Sequence, residues 1–409
     1  MPFYRVQYYM AMNTQSLPVV HQDPTDAGFV ANPYAFYATL RAMGDFVYWA
    51  DYAMPVATTH STVSEVLRHP KMGRAVPEGF APRPNASLTA FETLEKHSLL
   101  ELEPPDHTRI RREAMSAFTG PQIAMIGPTI SQIADELIDG FPDAPFDLID
   151  AFSKPLAAQT ITAFLGVETS HAAQLQAWSN SMVAMYQARR DAAVEAEAET
   201  AARAFTDFIT DVLAERRTAP RPDFISQLAA CEADGTLSAD EVVSTAILLL
   251  NAGHEATVHA VGNAVPQLLG SDGHKDALEP DSIAGTVEEC LRFRPPLHLF
   301  KRFVYQPTTI ADVHFAPNDK IGCLLASACH DDAVWPDARV FDPFRPRIRH
   351  LAFGLGLHAC VGAALARLEM QIALPILFAR CPGLRIVETP KVANLYHFHG
   401  YERLTLSVR

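Results

Sequence analysis

The stretch from Leu351 to Met370, LAFGLGLHACVGAALARLEM, constrains this chain more than any other. A glycine-punctuated loop runs from Phe353 to Cys360, and an alanine- and leucine-rich helix is expected from about Val361. Gly354 and Gly356 permit backbone angles and close approaches that a side chain would block. Cys360 falls at the loop-to-helix junction, where free N–H groups and the positive end of the helix dipole favour a thiolate. A lone thiolate on an amide-rich loop suits one axial position of a large flat cofactor. Gly362 lets the start of the helix lie against such a plane, and Phe353 packs beside the sulfur and keeps water away. Two plainer readings stand beside this one. The first is a glycine turn with a buried structural cysteine. The second is a zinc site built from His350, His358 and Cys360, which leaves the glycines unexplained.

Composition narrows the setting. At 409 residues with 48% hydrophobic side chains, the chain can fill a large core. We expect one domain over 1–409, because no low-complexity linker divides it. No run of about 18 apolar residues spans a membrane, and the N-terminus lacks the basic-then-apolar order of a signal peptide. The six cysteines are scattered rather than framed as disulfides. A reducing cytoplasm is therefore expected, with no membrane partner. A net charge of −14 argues against nucleic acid. The arginines cluster nonetheless, at 109, 111 and 112 and again at 345, 347 and 349, and such a group suits an acidic protein partner.

Taken in order, residues 1–30 read as an irregular arm and 33–43 as a helix. Residues 46–50 and 54–59 read as paired strands, with Ser61 capping a helix through Leu67. Residues 72–103 read as a long loop, a length that is usually functional. His107 and Arg111 share a helix face, two donors suited to an anionic group. From 128 to 217 the pattern is almost wholly helical, and 192–200 reads as a solvated face. Ser238 and Asp240 open a helix that is apolar all round over 242–250, hence buried. Within it, Gly253 beside small residues is expected to let a plane or a diatomic molecule approach the backbone. Glu255, an acid in an apolar helix, suggests a function. Glu289 and Arg292, at i and i+3, form a charge-assisted pair, with Arg345 as a second partner. Strand-like runs follow between 297 and 328, and residues 394–404 read as a hairpin with Phe398 near its tip.

The pattern F-G-x-G-x-H-x-C-x-G, complete here as Phe353, Gly354, Gly356, His358, Cys360 and Gly362, resembles the haem-binding signature of the cytochrome P-450 family. Three further segments are similar to that family in the expected order. His107 and Arg111 look like its propionate-binding helix. Ala252, Gly253 and Glu255 look like its oxygen-binding helix, and Glu289 with Arg292 like its E-x-x-R motif. The resemblance implies a mainly α fold with a smaller β-rich lobe (α+β), that lobe holding roughly 45–60, 297–328 and 385–409. It implies haem b held by Cys360, with His107, Arg111, Arg302, His350, Phe353, Gly354, His358 and Gly362 around it. Dioxygen would be activated reductively and one oxygen atom inserted into a small, mostly lipophilic substrate, hydroxylation first. Electrons would come from a separate ferredoxin or flavodoxin with its reductase.

Leu248, Ala252, Leu297, His298, Leu299 and Phe398 are expected to line the substrate pocket, with His254, His397 and His399 as polar anchors. The chain departs from the family pattern at one telling place. The residue after the acid is Ala256 where the family usually has threonine, and Thr257 follows. Glu255, Ala256, Thr257 and Gly253 would then handle protons, with a substrate hydroxyl, a water or Thr257 replacing the missing hydroxyl. Direct use of peroxide as a peroxygenase remains an alternative, and a non-catalytic haem sensor a more remote one.

Overall fold

The computed structural model describes residues 17–81, 85–187 and 190–408. Its centre is a 31-residue helix, Ala239–Leu269. Ser238 starts it with a capping box: its hydroxyl accepts from the Glu241 N–H, and the Glu241 carboxylate accepts from the Ser238 N–H. Arg109 then binds that carboxylate through both guanidinium NH groups, at 2.9 and 2.6 Å. Glu241 is held down at about 2, chiefly by this Arg109 bond. The helix is buried over nearly its whole length, as an all-round apolar pattern requires.

Helices surround this axis. Lys154–Leu165 crosses it closely, and Ala172–Val183 and Ala192–Thr218 pack outside. Lys154–Leu165 stops at Gly166, whose φ of 90° suits a left-handed cap. The helix after the cysteine loop, Ala363–Arg380, packs on the central helix and on Gly127–Asp139. The β-rich part is a six-stranded mixed sheet, in spatial order Val19–Val20, Phe46–Trp49, Met54–Ala57, Lys320–Leu324, Leu299–Val304 and Met72–Gly73.

Several expectations shift here. Residues 1–16 of the expected arm lie outside the described residues, but Val19–Val20 joins the sheet beside Tyr48 and Trp49, and Ala27–Ala31 is helical. Thr59, not Ser61, caps the helix His60–Arg68, because its hydroxyl reaches the Thr62 N–H. The long 72–103 segment holds a strand at its start and a helix over Thr89–Lys96. Phe146–Asp147 interrupts the helical 128–217 region to pair with the C-terminal strand Thr405–Ser407. Within the strand-like 297–328 region, Thr308–Ile310 and Val313–Phe315 pair as a tight hairpin, turned by Ala311 and Asp312 at positive φ. Glu199 on the Ala192–Thr218 helix is buried rather than solvated, and its carboxylate accepts from the Ala90 and Phe91 N–H groups at 3.0–3.1 Å.

Candidate active site

The cysteine loop folds as its glycines demand. Gly354 and Gly356 have φ of 64° and 78°. A Cβ on Gly356 would stand 2.5 Å from the Leu67 carbonyl oxygen, so the loop reaches that helix only without a side chain. The Cys360 N–H closes the loop onto the Phe353 carbonyl at 3.0 Å. The Cys360 residue is accessible to water, yet protein surrounds its thiol, which places the sulfur on an interior opening. Burial pushes the thiol up; the Gly362 and Ala363 N–H groups and the Arg111 and Arg367 charges act against it. Arg367 also stacks on Phe353, 4.5 Å from the ring centre. A Cβ on Gly362 would meet only Phe118, at 3.8 Å, so that side is open.

Around the loop, His107 is fully buried, with neither ring nitrogen hydrogen-bonded to a described residue. Burial first, then the His358 and Arg111 charges, lowers it to about 4. Its ring lies 4.4 Å from that of His358, whose Nε2 is 3.1 Å from Glu103 Oε1. Arg111 donates to the Ala359 carbonyl at 2.6 Å, and Arg302 is buried with one NH donated to the Lys301 carbonyl. His350 departs from expectation. Its Nδ1 accepts from the Ala352 N–H, and its Nε2 approaches Glu288 at 3.2 Å without a directed hydrogen bond. Both nitrogens are thus turned to protein. The zinc reading also fails, because among the described residues no three His, Cys, Asp or Glu side chains gather to hold a metal ion.

Behind the loop, Arg292 makes two bonds of 2.7 Å to Glu289 and donates to the Cys329, Ala338 and Val340 carbonyls. Arg345 reaches Glu289 at 3.4 Å, as the sequence suggested. That bond and three carbonyls occupy Arg345, and Arg109 is taken by Glu241. Neither is therefore available to a partner surface. Arg347 and Arg349 remain exposed.

A chamber of about 540 Å³ lies against the central helix, within the usual size of a small-molecule site. Leu248, Ala252, Leu297, Leu299 and Phe398 line it as expected, and so do Glu255, Ala256 and His397. Leu297 and Phe398 meet in a β-bridge, which returns the C-terminal segment to the chamber. Three histidines do not take part. His254 turns outward, with Nε2 3.1 Å from Asn180 Oδ1 and Nδ1 near the Ser179 hydroxyl. His298 is buried between the Tyr37 hydroxyl, 2.9 Å away, and the ring of His399, stacked at 4.4 Å. His399 in turn points its Nε2 at the Val30 carbonyl.

Gly253 is also corrected. A Cβ there would lie 2.6 Å from Ile161, so the glycine serves the crossing with Lys154–Leu165 and not an approach from the chamber. Thr257 is buried and donates to the Gly253 carbonyl at 3.1 Å, which directs its hydroxyl along its own helix. Glu255 sits between His254 Nε2 at 3.5 Å and His259 Nε2 at 3.4 Å, ion-pair approaches without directed hydrogen bonds. Burial raises its carboxyl, but the two imidazoles outweigh burial and leave it below its ordinary value. The sequence reading missed the rest of the chamber: Met182, Tyr186, Glu95, Arg74 and Lys301 come from elements far apart in the chain. No described helix is long and apolar enough to cross a membrane.

Known proteins share this architecture. Residues 283–383 match the family model for cytochrome P450. The chain is 37% identical over 297 residues to cytochrome P450 107B1 of Saccharopolyspora erythraea, a match covering 71% of this chain and 72% of that one. It is 31% identical to the cytochrome P450 monooxygenase PikC of Streptomyces venezuelae, covering 92% of this chain and 90% of the other. The crystal structure of P450BioI in complex with an acyl carrier protein ligated to hexadec-9Z-enoic acid matches with a TM-score of 0.87 at 29% identity, covering 93% and 99% of the two chains.

Proposed function

Because the chain belongs to the cytochrome P450 family of haem-thiolate monooxygenases, we propose that it holds haem b through Cys360 and hydroxylates a mostly lipophilic molecule in the chamber beside the central helix. The bound group supplies reductive activation of dioxygen and transfer of one oxygen atom to carbon. Every other task falls to the side chains. Cys360 offers its sulfur at the mouth of an N–H-lined loop. His107, Arg111, Arg302 and His358 supply donors for the propionates, and Phe353 shields the sulfur. Gly354 shapes the loop, and Gly362 leaves its face open. Glu289 and Arg292 hold the segment behind.

The observation that carries this reading is the pairing of Cys360 with His107. A solvent-accessible cysteine has its thiol set among protein atoms, and a fully buried imidazole nearby has no hydrogen-bond partner among the described residues. Buried polar groups left unpaired this way call for a ligand or water. Leu248, Ala252, Leu297, Leu299 and Phe398 exclude water and favour an apolar substrate body. Glu255 holds a proton site on the chamber wall, and Ala256 leaves room for a substrate hydroxyl or a water beside it. Electrons come from a separate ferredoxin or flavodoxin, for which Arg347 and Arg349 offer exposed positive charge. The test is the spectrum of the reduced, carbon monoxide-bound protein. A strongly red-shifted Soret band, lost in Cys360→Ala, is expected; a histidine-like band overturns the assignment.

A second reading has its own support. Ala256 lacks a hydroxyl and Thr257 spends its own on Gly253, which favours direct use of hydrogen peroxide. Turnover with peroxide and no reductase would establish it, and its absence would remove it.

A further inference from the structure

Most of the charged groups along the chamber are matched locally, Glu255 by His254 and His259 at 3.5 and 3.4 Å. Arg74 is matched by Glu101, 2.7 Å away. Glu95 accepts from the Tyr186 hydroxyl at 2.7 Å, and burial raises its carboxyl to about 7, so near neutrality it carries only part of a charge. His397 is kept neutral there, lowered to about 4 by burial first and then by the Lys301 and Arg74 charges. Lys301 is the exception. It lines the chamber, its ammonium has no hydrogen-bond or ion-pair partner among the described residues, and burial first, then the Arg74 charge, lowers it by more than the more weakly acting Glu101 restores.

The sheet explains how Lys301 comes to face this way. In the strand Leu299–Val304 side chains alternate, so Lys301 and Phe303 share the face opposite Arg302. Phe303 pairs with Lys320 across the ladder, which brings a second lysine to the same face. Lys320 also has no carboxylate partner among the described residues, and the Lys301 charge acts on it. Tyr52 lines the chamber as well, and its hydroxyl forms no hydrogen bond to another described residue. Burial raises that phenol, so it stays a donor. An ammonium partly withdrawn from water with no carboxylate in contact is unfavourable, and a bound anion relieves it.

We propose that the chamber selects substrates that carry a carboxylate at one end, with Lys301 and the Tyr52 hydroxyl holding it while the apolar body runs along the face made by Ala252. This rests on the chamber being the substrate site. A cationic substrate held by Glu95 is the opposing case. It is disfavoured because Glu95 already has Tyr186 as a donor and keeps only part of its charge.

Calorimetric titration of the holoprotein with decanoate, 1-decanol and decyltrimethylammonium separates these cases, since the three tails are alike. Decanoate should bind about tenfold tighter than the alcohol, the scale of one charge-assisted contact. Lys301→Gln should bring acid and alcohol to within about twofold, and Lys301→Glu should turn the preference to the ammonium. Tyr52→Phe should weaken decanoate only, by a few-fold. Equal binding of the three probes overturns the proposal, as does a wild-type preference for the ammonium. So does failure of decanoate to bind, or a carboxylate preference that survives Lys301→Gln. The carbon monoxide spectrum of the same preparations keeps the two readings apart. A thiolate band without carboxylate preference sinks only the Lys301 proposal, whereas a missing band sinks the Cys360 assignment and leaves the titration to decide Lys301.

Discussion

The network behind the cysteine loop and the middle of the central helix treat buried polarity in opposite ways. Behind the loop, Glu289 binds Arg292, Arg345 and the Asp342 N–H, and Arg292 also reaches three carbonyls. In the middle of the central helix, Asn251 Oδ1 and both nitrogens of His259 have no hydrogen-bond partner among the described residues, and Glu255 is approached but not bonded. A saturated network can only hold shape. An unsaturated one beside a chamber keeps capacity for what enters it. The two regions should therefore answer mutation differently, one in stability and the other in chemistry.

The largest effect is expected from Arg292→Ala. It leaves the buried Glu289 carboxylate with only Arg345 and the Asp342 N–H and frees three carbonyls, and about 3–5 kcal/mol of folding stability should go, a large part of the about 5–15 kcal/mol a protein has. Urea unfolding measures it. The matching cut in the central helix, Asn251→Ala, should cost less than about 1 kcal/mol. Similar losses in the two variants would erase the contrast.

Next comes Glu255→Gln, expected to lower turnover about a hundredfold, the scale of one lost proton-transfer group. Its stability effect should depend on pH. The folded carboxyl lies below its ordinary value of about 4.3. The stabilisation is therefore full above about 4.3 and is lost as pH falls through the lower folded value. Unfolding midpoints of wild type and variant should differ at pH 6 and converge in strong acid. A gap that widens on acidification would show the sign is wrong.

Gly253→Val tests the helix crossing. Its side chain would run into Ile161, so a loss of about 1–3 kcal/mol is expected from overpacking, with part recovered in the double variant carrying Ile161→Ala. No recovery would mean that Gly253 matters for another reason. The smallest effect belongs to Thr257→Val. A hydroxyl bonded back to its own helix adds little, so less than about 1 kcal/mol should change. Peroxide leakage during turnover should stay at the wild-type level, and a marked rise would return Thr257 to the proton path.

What could be read from the sequence was what short range determines. The loop around Cys360 announces itself because two glycines with positive φ and one thiol must lie within a few residues. Glu289 and Arg292 are legible because i and i+3 meet on any helix. Gly253 was misread because its helix is apolar all round, and without an amphipathic stripe nothing tells which face a small residue serves. His254, His298 and His399 were misplaced because their partners, Asn180, Tyr37 and Val30, come from distant elements. Lys301 had a local signal, since strand alternation sets it opposite Arg302, but that no described carboxylate touches it is visible only in three dimensions.

The buried Glu199 carboxylate has a mechanical consequence. It grips the first turn of Thr89–Lys96 from the Ala192–Thr218 helix, while Tyr186 bonds Glu95 near the end of the same short helix. Both ends of that short segment are thus latched outward, one to Ala192–Thr218 and the other to the turn Ala184–Tyr186 that follows Ala172–Val183. Prising it away breaks several hydrogen bonds at once and leaves the Glu199 carboxylate to Arg203 alone, whereas swinging it out with those outer segments breaks none of them. The Ser244 hydroxyl of the central helix also donates to the Leu94 carbonyl at 2.7 Å, so turning these segments together as one panel costs this one inward bond, fewer than peeling its edge would.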